Sequence, residues 1–440
     1  MVHELTPTAS ADVGTALYAT DWNSAGFLSE DEFARGTYGI VSNRTDGGQK
    51  RRAQERASIR VITGSMLWRS TVYATQSHWH LFLTIPPAGG LFEGSGSQTE
   101  ELDDRYGFGA TSAATWLLPK GEFTVGGEAR WDHSQYDNWF TTDRRRDSTQ
   151  AGFTASQGAG ALFVDSHFDL SDRLRVDLGG RADAFSTRTT PTGEERATGS
   201  TGVLSPKVGA RWQLTEAVST HMNVSRGFRS TDGIVEDPTL PVITAWAYEW
   251  GARYDAGRGF VSGTLFRMNV SNEQTFDPIT GNSSSGGSSR RQGVELQWAA
   301  PLGDEWSFAG QWTFNDARYT HLTLVSEEGD EPPEAVDGLR VYNTAEYVGA
   351  ASVAYAPAGA SWHARVGGNW VGPYSPFDEP GVLTGGYGLM QASLSFTFAG
   401  TDANIGVRNL LDRAYPEIIA GHKIAPGQPR SAFLSIRRAF

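Results

Sequence analysis

Residues 390–398 read Met-Gln-Ala-Ser-Leu-Ser-Phe-Thr-Phe, and apolar residues alternate with polar residues throughout this stretch. A period of two places the apolar side chains on one face of a β-strand and the polar side chains on the other. The same alternation recurs in residues 306–314, Trp-Ser-Phe-Ala-Gly-Gln-Trp-Thr-Phe, and in residues 362–370. Such runs are longer than the roughly five or six residues that are usual for strands of soluble sandwiches. Their length and alternation predict tilted strands that cross a membrane.

The connections between the predicted strands alternate in length along the chain. Counted backward from the last residue, 399–402 is a short connection and 375–387 a long one, and the alternation continues back to a long connection at 141–156. Tight turns at one end and long loops at the other are typical of an outer-membrane barrel, whereas a sandwich predicts no such order. We therefore predict an all-β fold, an antiparallel transmembrane meander β-barrel with about 18 strands in this chain.

The period of two also assigns side chains to the two faces of the predicted barrel wall. One set of large aromatic residues is expected to face lipid, and one set of charged residues is expected to face the lumen. The first set is Phe396, Phe398, Trp312, Phe314 and Trp370; the second is Arg130, Arg175, Arg181, Asp183 and Arg365.

Composition excludes several classes of function. The net charge is −13, and the only dense basic runs, residues 50–52 and 144–146, are predicted to be loop tips, so nucleic acid is not an expected partner. The chain has no cysteine, which excludes disulfides and thiolate metal sites. It also has no Gly-x-Ser-x-Gly, no His-Glu-x-x-His and no phosphate loop. We therefore predict no enzymatic activity, no catalytic residues, no cofactor and no metal site.

The end of the chain carries its most specific motif. Residues 407–415, Val-Arg-Asn-Leu-Leu-Asp-Arg-Ala-Tyr, and the following Gly-Gln-Pro-Arg at 427–430 resemble the last strands of TonB-dependent outer-membrane receptors. The terminal residue, Phe440, resembles the signal that the barrel assembly machinery of the outer membrane recognises. Arg438 stands where the family usually has an apolar residue, and its side chain can extend to the membrane surface.

Three inner stretches, residues 205–209, 225–230 and 290–295, resemble strands of the same family in the same order. The resemblance covers the region 56–440, which we expect to be the barrel, whereas 1–55 is an uncertain N-terminal segment with possible first barrel strands. A complete barrel of this family has about 22 strands. Neither a plug domain nor a segment that contacts TonB is visible in the sequence. We therefore expect a plugless fragment with an incompletely closed sheet and a largely empty lumen: a truncated receptor, a misassigned start or half of a split system.

The resemblance implies a receptor of the cell outer membrane with extracellular long loops and periplasmic short turns. The family takes up scarce ligands, most often a ferric siderophore, and the TonB complex drives transport through the plug. Outer-membrane lipid and the barrel assembly machinery are the other implied partners. Two alternatives remain open at this level: a passive diffusion pore, and a surface-binding scaffold without coupled transport.

Two sets of residues are candidate ligand contacts. Tyr136 and Trp139 precede Arg144 and Arg145, and aromatic rings with arginines could stack on an anionic siderophore and neutralise it. The alternative is an aromatic girdle followed by a solvated basic tip. A second candidate is the wall formed by residues 374–377, with Tyr374 and Phe377, which could equally be a proline-stiffened loop.

The stretch His78-Trp79-His80 places two imidazoles on one face of a strand. Two histidines do not complete a metal site, so we favour an interfacial tryptophan flanked by polar residues.

Overall fold

A computed structural model of the protein describes residues 2–36, 43–85, 97–230, 238–276, 283–324, 334–335, 337–376, 383–420 and 423–438. In these ranges the chain forms 24 strands and one five-residue helix. No helix among these residues is long and apolar enough to cross a membrane. The elements in chain order are β1 Val2–Thr6, β2 Ala9–Asn23, β3 Leu28–Ser29, α1 Glu30–Ala34, β4 Gly47–Thr63, β5 Met66–Ile85, β6 Ser97–Leu118, β7 Gly121–Thr142, β8 Arg145–Ser171, β9 Leu174–Pro191, β10 Ala197–Gln213, β11 Val218–Arg229, β12 Ile243–Ala256, β13 Gly259–Phe276, β14 Ser283–Leu302, β15 Trp306–His321, β16 Thr323–Leu324, β17 Glu334–Ala335, β18 Tyr347–Tyr355, β19 Trp362–Tyr374, β20 Thr384–Phe398, β21 Thr401–Arg408, β22 Pro416–Ala420, β23 Lys423–Pro426 and β24 Ser431–Arg438.

Nineteen strands form one antiparallel sheet, in which each strand pairs with the next long strand of the chain. The order passes over only the short strands of the long connections, as where β15 pairs with β18 and β21 pairs with β24. This meander confirms the predicted fold class, and its strand number agrees with the expected 18 or so. The short strands form two small sheets, β16 with β17 and β22 with β23 and β3.

The aromatic and charged side chains that the alternation assigned to the two faces lie on opposite faces of the sheet, as predicted. Trp312 contacts both Phe314 and Trp370, with ring centroids 6.0 and 5.7 Å apart, and Phe398 has 82% of its surface exposed. On the other face Arg181 bridges Glu128 and Asp183. We call these the apolar face and the polar face. In a membrane barrel the exposed apolar face contacts lipid and the polar face lines the lumen.

Two connections predicted to be long loops are tight turns instead. The predicted loop 141–156 is the tip of a hairpin, because β7 continues to Thr142 and β8 begins at Arg145. The two turn residues, Asp143 and Arg144, have φ values of 50° and 64°, the positive angles that a two-residue hairpin turn requires. The predicted loop 188–202 likewise shortens to residues 192–196 between β9 and β10.

The two ends of the large sheet are linked through the long connections. Within the described residues no ladder joins β1 to β24. However, β3, from the connection between β2 and β4, pairs with β23, from the connection between β21 and β24. Ile419 and Ile424 pack there with Tyr374, and Phe33 of α1 packs against them. We call β3, α1, β22 and β23 the clasp.

Candidate functional site

The polar face of β4–β8 carries three adjacent rows of cross-strand neighbours near the ends of the strands that lead into the long connections. Because successive residues of a strand point to opposite faces, only every second residue of each strand contributes to these rows. The rows are Lys50, Trp79, Asp103, Tyr136 and Phe153; Arg52, Ser77, Arg105, Ser134 and Ala155; and Gln54, Thr75, Gly107, Asp132 and Gln157.

A pocket of about 270 Å³ lies over these rows, and we call it the basic pocket. Its lining includes four cations: Lys50, Arg52, Arg105 and Arg130. Arg105 is held by Asp103 at 2.5 Å, and Arg130 by Asp132 at 2.6 Å.

The other two cations of the basic pocket lack an acidic partner among the described residues. The ammonium nitrogen of Lys50 lies 5.2 Å from the centroid of the Trp79 ring. Arg52 donates only a long hydrogen bond, 3.5 Å, to the side chain of Gln54. A partly open pocket with two uncompensated cations attracts an anionic ligand.

Alternation in β4 produces the basic pocket. Lys50, Arg52, Arg56 and Arg60 occupy every second or fourth position and share the polar face. The basic run 50–52 was predicted to be a loop tip, and the structure corrects this: all three residues lie inside β4. The signal that could have identified the pocket was therefore the even spacing of cations after residue 49.

Among the predicted ligand contacts, Tyr136 lies on the polar face, in the same cross-strand row as Lys50 and beside the basic pocket. Its ring stacks on Phe153 with centroids 5.2 Å apart, and Asn138 donates a 3.2 Å hydrogen bond to its hydroxyl. On the apolar face of the same strands, Tyr106 and Phe108 pack against Trp131, which marks an aromatic girdle at a membrane interface. Tyr136 is five residues beyond Trp131, roughly 15 Å further along the strand and outside the membrane-spanning part.

Burial shapes the ionisation of groups beside Tyr136. Burial raises the pKa of the Tyr136 hydroxyl, and nearby Glu101 adds to that increase. Burial also raises the pKa of Glu101 itself, with a further contribution from Asp103. Burial therefore shifts both groups towards their neutral forms on the polar face beside the basic pocket.

Trp139 lies on the opposite face of the hairpin from Tyr136. The guanidinium carbon of Arg146 is 3.5 Å from the centroid of the Trp139 ring. Arg146 donates two hydrogen bonds, 2.6 and 2.9 Å, to the carboxylate of Glu100, which also contacts His80 Nε2 at 2.9 Å. Burial alone would raise the pKa of Glu100, but the hydrogen bonds from Arg146 and His80 outweigh it and lower that pKa.

The two predicted arginines lie at the tip of the β7–β8 hairpin. Arg144 Nε donates a 2.6 Å hydrogen bond to the carbonyl oxygen of Thr45, and its guanidinium lies over the ring of Phe82. Arg145 is exposed. The structure therefore does not bring Tyr136, Trp139 and the arginines into one pocket, because the sheet separates Tyr136 from the other residues.

The remaining candidates have the following positions. Tyr374 is only 8% exposed and belongs to the packed core of the clasp, while Phe377 and Phe440 lie outside the described residues. His78 and His80 share the apolar face and contact Asp104 and Glu100.

Trp79 differs from the predicted interfacial tryptophan, because its ring lies on the polar face, 5.1 Å from that of Trp22. Within the described ranges no three His, Cys, Asp or Glu side chains are grouped so as to hold a metal ion.

Comparison with known proteins identifies the family. Residues 5–410 match the family model described as TonB dependent receptor-like, beta-barrel. The metal-pseudopaline receptor of Pseudomonas aeruginosa strain PAO1 is 26% identical over 294 residues, which are 63% of this chain and 40% of that receptor. The chain thus spans less than half of the length of this curated relative.

Solved structures share the fold at low sequence identity. The ferric citrate transporter FecA superposes with a TM-score of 0.79 at 17% identity, over 98% of this chain and 67% of the transporter. The siderophore receptor PiuA of Acinetobacter baumannii gives a TM-score of 0.82 at 13% identity, over 99% of this chain and 72% of the receptor. With its sheet topology and a family match over most of its length, the chain belongs to the TonB-dependent receptor-like β-barrel family.

Proposed function

We propose that the protein serves the uptake of an anionic metal chelate, with a ferric siderophore as the foremost ligand class, across the outer membrane. The observation that carries this proposal is the basic pocket, where Lys50 and Arg52 face the polar side of the wall without acidic partners. In this proposal the long connections face the cell exterior and the short turns face the periplasm, so the basic pocket lies at the outer mouth of the lumen.

The chemistry of the basic pocket suits a chelate better than a bare cation. Its uncompensated charge is positive, so a free metal ion would be repelled, whereas a carboxylate- or catecholate-bearing complex would be attracted. Trp79 and Tyr136, in the same cross-strand row as Lys50, add aromatic surfaces beside the pocket on which a flat ligand can stack. The names of the relatives agree with such cargo: one is a metal-pseudopaline receptor and another a ferric citrate transporter.

Transport itself would depend on further components. In this proposal the TonB complex acts through a plug domain, and the barrel contributes the passage and the outer binding wall. Outer-membrane lipid surrounds the apolar face, and the barrel assembly machinery inserts the chain.

A double variant of the pocket and a single variant of the opposite face test the ligand class. Lys50→Gln with Arg52→Gln should raise the Kd for ferric citrate or a ferric siderophore on the order of 10- to 100-fold, because two charge-assisted contacts are lost. Quenching of tryptophan fluorescence, with Trp79 in contact with Lys50 of the pocket, reports binding by the purified chain in detergent micelles.

Arg51→Gln is the control. Arg51 lies between the two tested residues in β4, but its side chain points to the other face of the sheet, so the Kd should stay within about two-fold. Equal affinities for all three proteins, or binding of the free metal cation in preference to the chelate, would contradict the proposal.

A further inference from the structure

The apolar face of β11–β15 carries an unexpected set of arginines. On this face, two adjacent rows of cross-strand neighbours extend over the five strands. The rows are Arg226, Trp246, Asn269, Arg290 and Arg318, and then Val224, Tyr248, Arg267, Gln292 and Asp316. Neighbouring strands are about 4.8 Å apart, so the four arginines lie within one patch. We call Arg226, Arg267, Arg290 and Arg318 the arginine belt.

Most of the positive charge of this belt is uncompensated. Arg318 pairs with Asp316 at 2.8 Å. Among the described residues, the other three arginines have no carboxylate within ion-pair distance. Arg226 donates to the carbonyl oxygen of Leu204 at 3.1 Å and Arg267 to the amide oxygen of Asn269 at 3.2 Å, while Arg290 Nε is buried without a hydrogen-bond partner.

The arginine belt borders an apolar groove of about 400 Å³ on the same face. The groove walls include Val208, Met222, Trp250 and Leu265, and three of these side chains are more than 45% exposed, which is the exposure of a lipid-facing surface. Tyr248 and Arg267 also line the groove, at its end nearest to the belt. Apolar walls that end in aromatic rings and cations match a lipid with an acyl chain and an anionic headgroup.

We propose that the arginine belt and the groove together bind a phosphate-bearing lipid of the outer membrane. The headgroup phosphate accepts hydrogen bonds from Arg226, Arg267 and Arg290, and one acyl chain lies along the groove. Arginines on a lipid-facing surface are unfavourable without a counter-ion, and a phosphate supplies that charge at the depth where the belt lies. This inference depends on the proposed function in one respect only: it assumes that the chain lies in the outer membrane.

Native mass spectrometry of the full chain in detergent micelles tests this site. The probes are phosphatidylglycerol, phosphatidylcholine with the same acyl chains, diacylglycerol and inorganic phosphate. We expect tight retention of phosphatidylglycerol only. Arg226→Gln with Arg267→Gln and Arg290→Gln should weaken its binding on the order of 100-fold, because three cations near a lipid headgroup are removed.

A control variant removes the same charge from the polar face: Arg60→Gln, Arg69→Gln and Arg365→Gln should leave phosphatidylglycerol binding within about two-fold. A triple arginine-to-lysine variant of the belt should keep most of the binding, which distinguishes a lost site from a lost fold. Equal weakening by the control variant, or retention of phosphatidylcholine as tight as that of phosphatidylglycerol, would overturn the proposal. Retention of inorganic phosphate with the same affinity would instead show a simple anion site and would also overturn it.

The two functional proposals fail independently. The belt variant should bind the ferric chelate with unchanged Kd, because the belt and the basic pocket lie on opposite faces of different strands. Loss of lipid binding with retained chelate binding, or the reverse, therefore identifies which proposal has failed.

Discussion

Glu100 is a buried carboxylate whose pKa depends on its hydrogen bonds to the β7–β8 hairpin. Its carboxylate is 5% exposed, yet it accepts hydrogen bonds from Arg146, whose other contact is the Trp139 ring. The pKa of Glu100 is lowered in the folded protein, because these hydrogen bonds outweigh the effect of burial. A carboxyl group with a lowered folded pKa stabilises the fold above its unfolded pKa, about 4.3, and loses that contribution as the pH falls through its folded value.

The pH dependence of the β7–β8 hairpin tests this linkage. In the native protein, hydrogen-exchange protection of amides near Arg146 should be constant from neutral pH to about pH 5 and fall below about pH 4. Glu100→Gln should lower the protection at neutral pH. It should also abolish the further loss of protection at acid pH (the acid limb), because the amide cannot ionise.

Asp104→Asn provides the comparison, since Asp104 lies on the same face but is 61% exposed. Its effect on the hairpin should be small. An acid limb that persists in Glu100→Gln would show that another group controls the hairpin.

At the residue scale, the alternation of side chains between the two faces could be predicted. Residues that are close together in the sequence, however, did not identify a shared site. Lys50 and Arg52 form one pocket while Arg51 between them points away, so a basic triplet that resembles a loop tip is divided by the strand. Tyr136 and Trp139 are three residues apart, an odd spacing that places them on opposite faces. The predicted cluster of aromatic residues and arginines was therefore never a single surface.

At the scale of strands, glycine opposite an aromatic residue is a recurrent pair. Gly349 lies opposite Trp312, Gly310 opposite Trp298, and Gly126 opposite Phe163. A Cβ at Gly349 would lie 2.2 Å from Cε3 of Trp312, because the indole lies flat across the neighbouring backbone. These pairs explain why a sheet with so many aromatic residues also has 52 glycines in its chain.

Alanine substitutions separate this packing role from backbone effects. Gly349→Ala should displace the Trp312 ring and destabilise the protein by about 1–3 kcal/mol, the usual cost of an inserted methyl group in a packed site. Gly180→Ala is the control, since nothing lies within 4 Å of a Cβ at Gly180 and this residue is also in a strand. Urea unfolding in detergent micelles, followed by tryptophan fluorescence, compares the two. Equal destabilisation would assign the effect to the backbone alone.

The lengths of the hairpins could not be predicted from the sequence. The β7–β8 tip contains residues 143–147, Asp-Arg-Arg-Arg-Asp, in which no apolar residue marks a face. Alternation of polarity is imposed by lipid on one side of the wall, so it disappears where a hairpin continues beyond the membrane. Cross-strand hydrogen bonds and the turn at Asp143 keep that part in β structure.

For the whole molecule, the clasp is the element that connects the start of the chain to its end. The meander brings β1 and β24 to the two edges of the large sheet, and β3 and β23 pair within the connections that flank them. Ile424 is 6% exposed and packs with Tyr374 and Ile419, and Phe33 packs against them, so residues from three distant parts of the sequence share one small core. Sequence patterns predicted the meander but not the clasp, because two-residue strands have no measurable period.

Removal of one side chain from the core of the clasp tests whether it holds the molecule together. Ile424→Ala should cost about 2–5 kcal/mol, the range for isoleucine truncation at a buried site. Hydrogen exchange should then accelerate together in β2 and β21, because the two strands enter the clasp from opposite ends of the chain. Ile418→Ala, at a neighbouring position of β22 that is 52% exposed, should change stability by no more than about 0.5 kcal/mol. If exchange in Ile424→Ala accelerates only within β22 and β23, then the clasp packs on the barrel without joining its ends.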